Sequence, residues 1–324
     1  MPLSVPTYVA FLVALCGSLM SSAVTSAVAE EVFRYSAQTD RQLIYESISM
    51  LTQTQKIGGA EIETEIETRD ISVRKYVSNG ESPDLRMENE NKILVIEMNV
   101  GPLGKYCFDS RETDRDRGSV LGNALTPLYE SLTGVIIQVE HSDQGAIRKV
   151  TGFEGLIQDA VKDNPIAERF AAGASPEGAR VNYAESFVEF PKKALNPGDS
   201  WEVPVENDLP GIGRMTGKRI YRFEGDGKSG TRNTARFSIR TEMDIDVDLK
   251  ENGAIVTGRL SVSESNGECH FDRGLGQLVE FRTKSTIAGD LNIQANGANT
   301  TMTQEQTQEG RYRLLEKLPE PSDE

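Results

Sequence analysis

The side chains best equipped for chemistry are few. His141 and His270 are the two histidines of the 324-residue chain, Cys107 and Cys269 are two of its three cysteines, and Asp244, Asp246 and Asp248 form a short acidic row. His141-Ser142-Asp143 holds the three residue types of a nucleophilic triad. A triad is assembled through space, however, and neighbours along an extended chain point to opposite faces. No Gly-x-Ser-x-Gly elbow occurs, and both histidines flank turn sequences, where surface packing is expected. Cys269-His270 places two ligand types side by side, but a zinc site needs three or four converging ones.

Two further motifs fail on spacing. A calcium loop opening at Asp244 needs glycine at its sixth position and glutamate at its twelfth, and these are Leu249 and Ile255. Gly225-Asp226-Gly227-Lys228-Ser229 imitates the end of a phosphate loop, yet Arg222 stands where the opening glycine belongs and no helix follows, so a hairpin turn is expected. Gly101-Pro102-Leu103-Gly104-Lys105 ends in Tyr106 instead of Ser or Thr. Paired carboxylates for sugar hydrolysis are the remaining option, and with 50 acidic residues the sequence nominates no particular pair. No catalytic residue, cofactor or metal is therefore expected.

The elements that must carry these residues are mostly strands. In residues 61–68, glutamates alternate with Ile62, Thr64, Ile66 and Thr68. Over 236–249 the odd positions are apolar or Thr and the even ones charged, apart from Ser238, the period of a strand with one wet face. Asn79-Gly80, Asn252-Gly253 and Asn296-Gly297 predict tight turns, and antiparallel neighbours joined by such turns form meanders. A helix is predicted near 119–133, with Ser119 as cap and Pro127 kinking or splitting it. Further helix is predicted at 155–163, 165–172 and from Pro176. His141–Gly145 and His270–Gly274 each place Asp two residues before Gly between extended runs, either an internal duplication or shared turn chemistry.

The fold class expected is mainly β (α+β): antiparallel meanders in two halves, with curved half-barrel sheets as one form, around a helical middle. The boundaries predicted are a signal peptide at 1–29, a β-rich first half at 30–152, a helical middle at 153–190, a β-rich second half at 191–315 and a flexible acidic tail at 316–324. Residues 1–29 lack Lys, Arg, Asp and Glu, contain an apolar run too short to span a bilayer, and end in Ala27-Val28-Ala29. Signal-peptide cleavage is expected after Ala29, leaving Glu30 first and no transmembrane segment in the mature chain. Leu15 before Cys16 does not suit lipidation. The mature part carries the whole net charge of −15, which disfavours nucleic acid and anionic surfaces as partners. Export leaves two readings open for Cys107 and Cys269, a disulfide or two separate thiols.

Phe190-Pro191, Leu195-Asn196-Pro197-Gly198-Asp199-Ser200-Trp201 and Gly267-Glu268-Cys269-His270-Phe271-Asp272 resemble an uncharacterised family of secreted bacterial proteins with a domain of unknown function. The resemblance covers most of the mature chain. It implies a periplasmic or extracellular location and brings no established activity or catalytic residues to carry over. Trp201, following the Pro197-Gly198-Asp199 turn, is expected to be a structural anchor.

Two functions follow as expectations. The first is a non-catalytic binding or scaffolding module, whose apolar sheet face, covered by the helical middle, holds a lipid, another hydrophobic ligand or an envelope component. In architecture this resembles the half-barrel carriers of lipids and lipoproteins. The alternative is a carboxylate-dependent hydrolase of envelope or extracellular polymer. Oligomeric state has no signature in the sequence.

Overall fold

The alternation over 236–249 is realised along one strand, β9 (Arg232–Glu251), in which Phe237 and Val247 are buried while Asp246 and Asp248 are exposed. The computed structural model describes residues 30–78, 80, 82–152, 176–209, 212–251, 253–295 and 297–319. Residues 1–29, expected to be a signal peptide, the helices expected at 155–163 and 165–172 and the last five residues of the expected tail lie outside the described residues.

Before the middle of the chain come β1 (Gln42–Ile57), β2 (Ala60–Val77), β3 (Leu85–Val100), β4 (Lys105–Asp109), helix α1 (Val120–Leu132), β5 (Ile136–His141) and β6 (Ile147–Thr151). After it come α2 (Pro176–Glu185), β7 (Ser200–Leu209), β8 (Gly213–Ser229), β9, β10 (Ala254–Asp272), β11 (Gln277–Ala295) and β12 (Ala298–Leu315). The turn glycines Gly253 and Gly297 have φ of 78°, in the left-handed region that a tight hairpin requires. The phosphate-loop mimic at 225–229 is the end of β8, with the turn following at Gly230.

The expected two halves are joined. All twelve strands form one sheet, ordered β6-β5-β3-β2-β1-β12-β11-β10-β9-β8-β7, with β4 also pairing β3. The joint is β1 against β12, unbroken from Ile44↔Leu315 to Ile57↔Met302. Each meander alone would leave a long flat edge at β1 or at β12, and pairing them removes both edges. The sheet stays unclosed, with β6 and β7 as its edges. It curls until α2 lies between them: α2 packs on β6, Arg180 donates to Asn207 Oδ1 on β7 at 2.6 Å, and Ala184 O accepts from Arg219 on β8 at 2.9 Å. The helical middle is thus minor among the described residues.

Register defines an inner and an outer face. On the inner face, α1 covers β2–β4, with Leu121 and Leu125 packed against Leu94, Ile96 and Phe108. Ser119 Oγ caps α1 by accepting from Gly122 N at 2.9 Å. Pro127 lies within the helix without dividing it, and Thr126 Oγ1 bonds Tyr106 OH at 2.9 Å. The outer face is laced with exposed ion pairs such as Arg259–Asp246 (2.7 Å), Lys218–Glu202 (2.8 Å) and Lys284–Glu309 (2.7 Å). Solvent screens each pair, but together they make that face charged where a barrel in a bilayer carries an apolar band.

One end of the curled sheet is plugged by aromatic side chains. The extended segment 31–36 lies across it with Phe33 and Tyr35 turned inward and Val32 and Arg34 exposed, and the Phe33 ring meets Phe223 and Phe237 at 5.0 Å, Phe190 at 5.5 Å and Phe271 at 6.0 Å. Phe190 is stacked on Phe33 and the other three rings meet it edge-on, contacts that add about 0.5–1.5 kcal/mol each beyond area burial. The two similar turns noted in the sequence grip this segment from either side, Tyr35 N donating to Asp143 O at 2.7 Å and Ser36 N to Gly276 O at 3.1 Å. Gly276 is required there: its φ is +63°, and a Cβ would come within 2.3 Å of Ser36 Oγ.

Candidate functional site

The residue types that could do chemistry are dispersed. His141 and His270 were expected at the surface, but both are buried, at 0% and 7% exposure, because the turns they flank are covered by segment 31–36 and by neighbouring strands. His141 Nδ1 lies 2.8 Å from Ser142 O and Nε2 lies 3.1 Å from Tyr76 OH. A carbonyl can only accept, so Nδ1 carries the proton. Burial holds the imidazole down to about 4, leaving it neutral. His270 is fixed by Thr234 Oγ1 at 2.9 Å and Glu268 Oε1 at 3.0 Å.

Cys107 and Cys269 are not brought together. Each is a free thiol, Cys107 exposed on β4 and Cys269 fully buried between Phe237 and Phe281 in the strand pairing. Asp244, Asp246 and Asp248 lie along the outer face of β9, held by Arg259 and Lys250. Among the described residues no group of three or more His, Cys, Asp or Glu could hold a metal ion. Trp201 is half-buried, stacked on Tyr221 at 5.2 Å, and its Nε1 donates to Glu189 O at 2.8 Å. Glu30 is exposed, next to the bridge between Glu31 and Leu195, while Ala27 and Ala29 lie outside the described residues.

What the fold does build is a cavity on the inner face, above the aromatic plug. It has a volume of about 490 Å³, within the ~300–1,000 Å³ usual for small-ligand sites. Tyr221, Phe281 and Tyr312 form the end nearest the plug, and Met243, Ile245 and Ile287 form an apolar wall. Ser47, Ser49 and Gln308 line the side made by β1 and β12. The odd-numbered face of β9 supplies much of the wall, so the strand period read from sequence is also what makes it apolar. Among the described residues lining it, Glu185 is the carboxylate, and it pairs with Arg219 at 3.3 Å. A hydrolase of the kind considered above needs two carboxyl groups facing each other across such a space.

A polar cluster supports the cavity at the β1–β12 joint. Arg74 is buried, donating from Nε to Asn89 Oδ1 at 3.0 Å and from NH1 to Tyr312 OH at 2.5 Å, with its guanidinium over the rings of Tyr45 and Tyr312. One turn of the strand away, Asp70 is pushed up to about 6 by burial and by Glu46, against the pull of Arg74 and of a hydrogen bond from Ser47, which lines the cavity. Tyr183 of α2 bonds Asn89, and burial raises its hydroxyl to about 12. None of these was nominated from sequence. The signal was there: the face holding Ile62, Thr64, Ile66 and Thr68 continues through Asp70, Ser72 and Arg74, placing two charges on the side that should be dry.

Residues 85–267 match the profile of a family of unknown function, DUF6263. No curated protein matches. Solved structures with some likeness include the β domain of the Bordetella autotransporter Brka (10% identity, 84% of this chain and 98% of that chain, TM-score 0.22). Pseudomonas aeruginosa OccK2 (OpdF) gives 8% identity over 86% of this chain and 100% of that one, with a TM-score of 0.22. The translocator domain of the autotransporter NalP from Neisseria meningitidis gives 8% identity over 90% and 92%, with a TM-score of 0.17. Scores this low leave no shared fold to argue from.

Proposed function

The chain belongs to the DUF6263 family, whose function is unknown, and from that premise we propose that its curled sheet is a non-catalytic holder for an amphipathic ligand, met in the cell envelope or outside it. The observation that carries this reading is the inner cavity, apolar along Met243, Ile245 and Ile287 and polar along Ser47, Ser49 and Gln308. Methylenes placed against the apolar wall are worth about 0.8 kcal/mol each, so roughly ten would reach the ~8 kcal/mol of micromolar affinity before ordering costs. The charged outer face supports a molecule surrounded by water rather than lipid, and the uncharged segment ending in Ala27-Val28-Ala29 supports export.

Native mass spectrometry of the protein exported by its own host tests the reading. A one-to-one adduct with a lipid-like molecule is expected. Bare protein that also fails to take up an added amphipath would overturn it.

A further inference from the structure

We infer that the ligand's head is uncharged and rich in hydroxyl groups, a glycosyl or glyceryl head, read by a band of glutamines on the inner face of β1 and β12. This rests on the cavity being a ligand site and goes further by naming what it selects.

Gln53 and Gln55 on β1 stand opposite Gln306 and Gln304 on β12, and Gln308 follows one step nearer the plug, where it lines the cavity. All share the face of Tyr312. Gln55 Nε2 donates to Gln304 Oε1 at 3.3 Å, and Gln304 is 8% exposed. Across the next pairing the band meets the apolar wall directly, Gln306 lying opposite Ile287 on β11. A chain seated on that wall therefore brings its polar end to the amides.

Charge is sorted by face along β1 and β12, and of the charged residues that line the cavity Arg219 is paired with Glu185 at 3.3 Å while Arg311 reaches its rim from an outward position. On β12 the outward positions include Glu305, Glu309, Arg311 and Arg313, whereas the inward ones from Thr300 to Leu314 are uncharged. The inward positions of β1, from Leu43 to Ile57, are also uncharged among the described residues. A primary amide offers two donors and an acceptor oxygen with two lone pairs, which matches hydroxyls that both give and accept. A carboxylate or phosphate head would leave the amide oxygens facing negative charge, and a quaternary ammonium would leave the amide hydrogens unused. Cross-strand glutamine bonds could instead serve the sheet alone, and the two roles separate under test.

Calorimetry of the mature chain with dodecyl maltoside, dodecanoate and dodecyltrimethylammonium compares three heads on one chain, each below its micellar concentration and at salt high enough to screen the protein's net charge. Dodecyl maltoside is expected to bind at least about tenfold more tightly than either ion. The double variant Gln304→Leu, Gln306→Leu should lose that preference while still binding dodecanoate, which shows that it is folded. A Glu305→Gln control on the outer face should change neither. Equal binding of the three heads, or a preference that survives in the leucine variant, would overturn the inference while leaving the cavity reading intact. Binding of none of the three would overturn the cavity reading, and the inference with it.

Discussion

Tyr45 and Tyr312 stack with their ring centroids 4.5 Å apart and their planes 11° from parallel. They lie on β1 and β12, where the strands before the middle of the chain meet those after it. Arg74 covers both rings, at 4.7 and 4.9 Å, so the joint is closed by a buried cation on two aromatic faces.

That arrangement makes Tyr312→Phe informative. The ring stays, but the NH1 group that donated to Tyr312 OH loses its acceptor, and a buried donor left unpaired costs about 1–3 kcal/mol. In an Arg74→Met background the same change should cost little, since an apolar residue of similar length needs no acceptor. Urea unfolding of the four proteins of this cycle measures the coupling. Additive losses would mean that the two groups do not interact.

Ile245→Lys and Asp246→Lys test the face assignment on β9. Ile245 is half-buried on the cavity wall, whereas Asp246 is exposed and bonded to Arg259 at 2.7 Å. The first substitution should cost about 1–3 kcal/mol and the second under ~1 kcal/mol. Equal melting shifts would contradict the inward orientation of the odd positions.

Two buried groups titrate against each other. His141 is lowered from 6.5 to about 4, so its contribution is present above pH 6.5 and lost as the pH falls toward 4. Asp70 is raised from 3.8 to about 6, so its contribution is present below pH 3.8 and lost as the pH rises through 6. Their windows overlap and their effects oppose. Asp70→Asn removes the opposing Asp70 contribution and so exposes the His141 dependence, the variant gaining about 2–3 kcal/mol relative to the parent between pH 4 and 6.5. Parallel profiles for the two proteins would contradict this.

The free thiols differ in access. Burial together with Glu97 raises the exposed Cys107 thiol, and burial raises Cys269 far more. In protein spanning residues 30–324, an alkylating reagent should label one thiol slowly when folded and both after unfolding without reductant. No labelling in either state would establish a bridge instead.

Much of the strand architecture was legible because period-2 alternation is local: residues 61–68 and 236–249 became β2 and β9 with the expected faces, and Ser119 caps the predicted helix. The joint between β1 and β12 was not, since a register linking Ile44 to Leu315 depends on pairing that no local pattern encodes. The histidines were misjudged for the same reason. Turn chemistry around His141 suggested solvent, but what buries it is Phe187 and Tyr35, brought from distant positions along the chain. The cavity was visible only as an apolar face. Its closed end required knowing that segment 31–36 lies across the end of the sheet and turns Phe33 and Tyr35 inward.

The chain's single tryptophan makes the central claim directly measurable. Trp201 stacks on Tyr221, which lines the cavity at the end nearest the plug. Bromine quenches indole emission only at short range, so titration with a dodecyl maltoside brominated near the chain terminus reports whether a chain enters. Saturable quenching at one equivalent per protein is predicted. Quenching that rises linearly without saturation, as for free tryptophan in the same solution, would contradict a ligand-holding cavity.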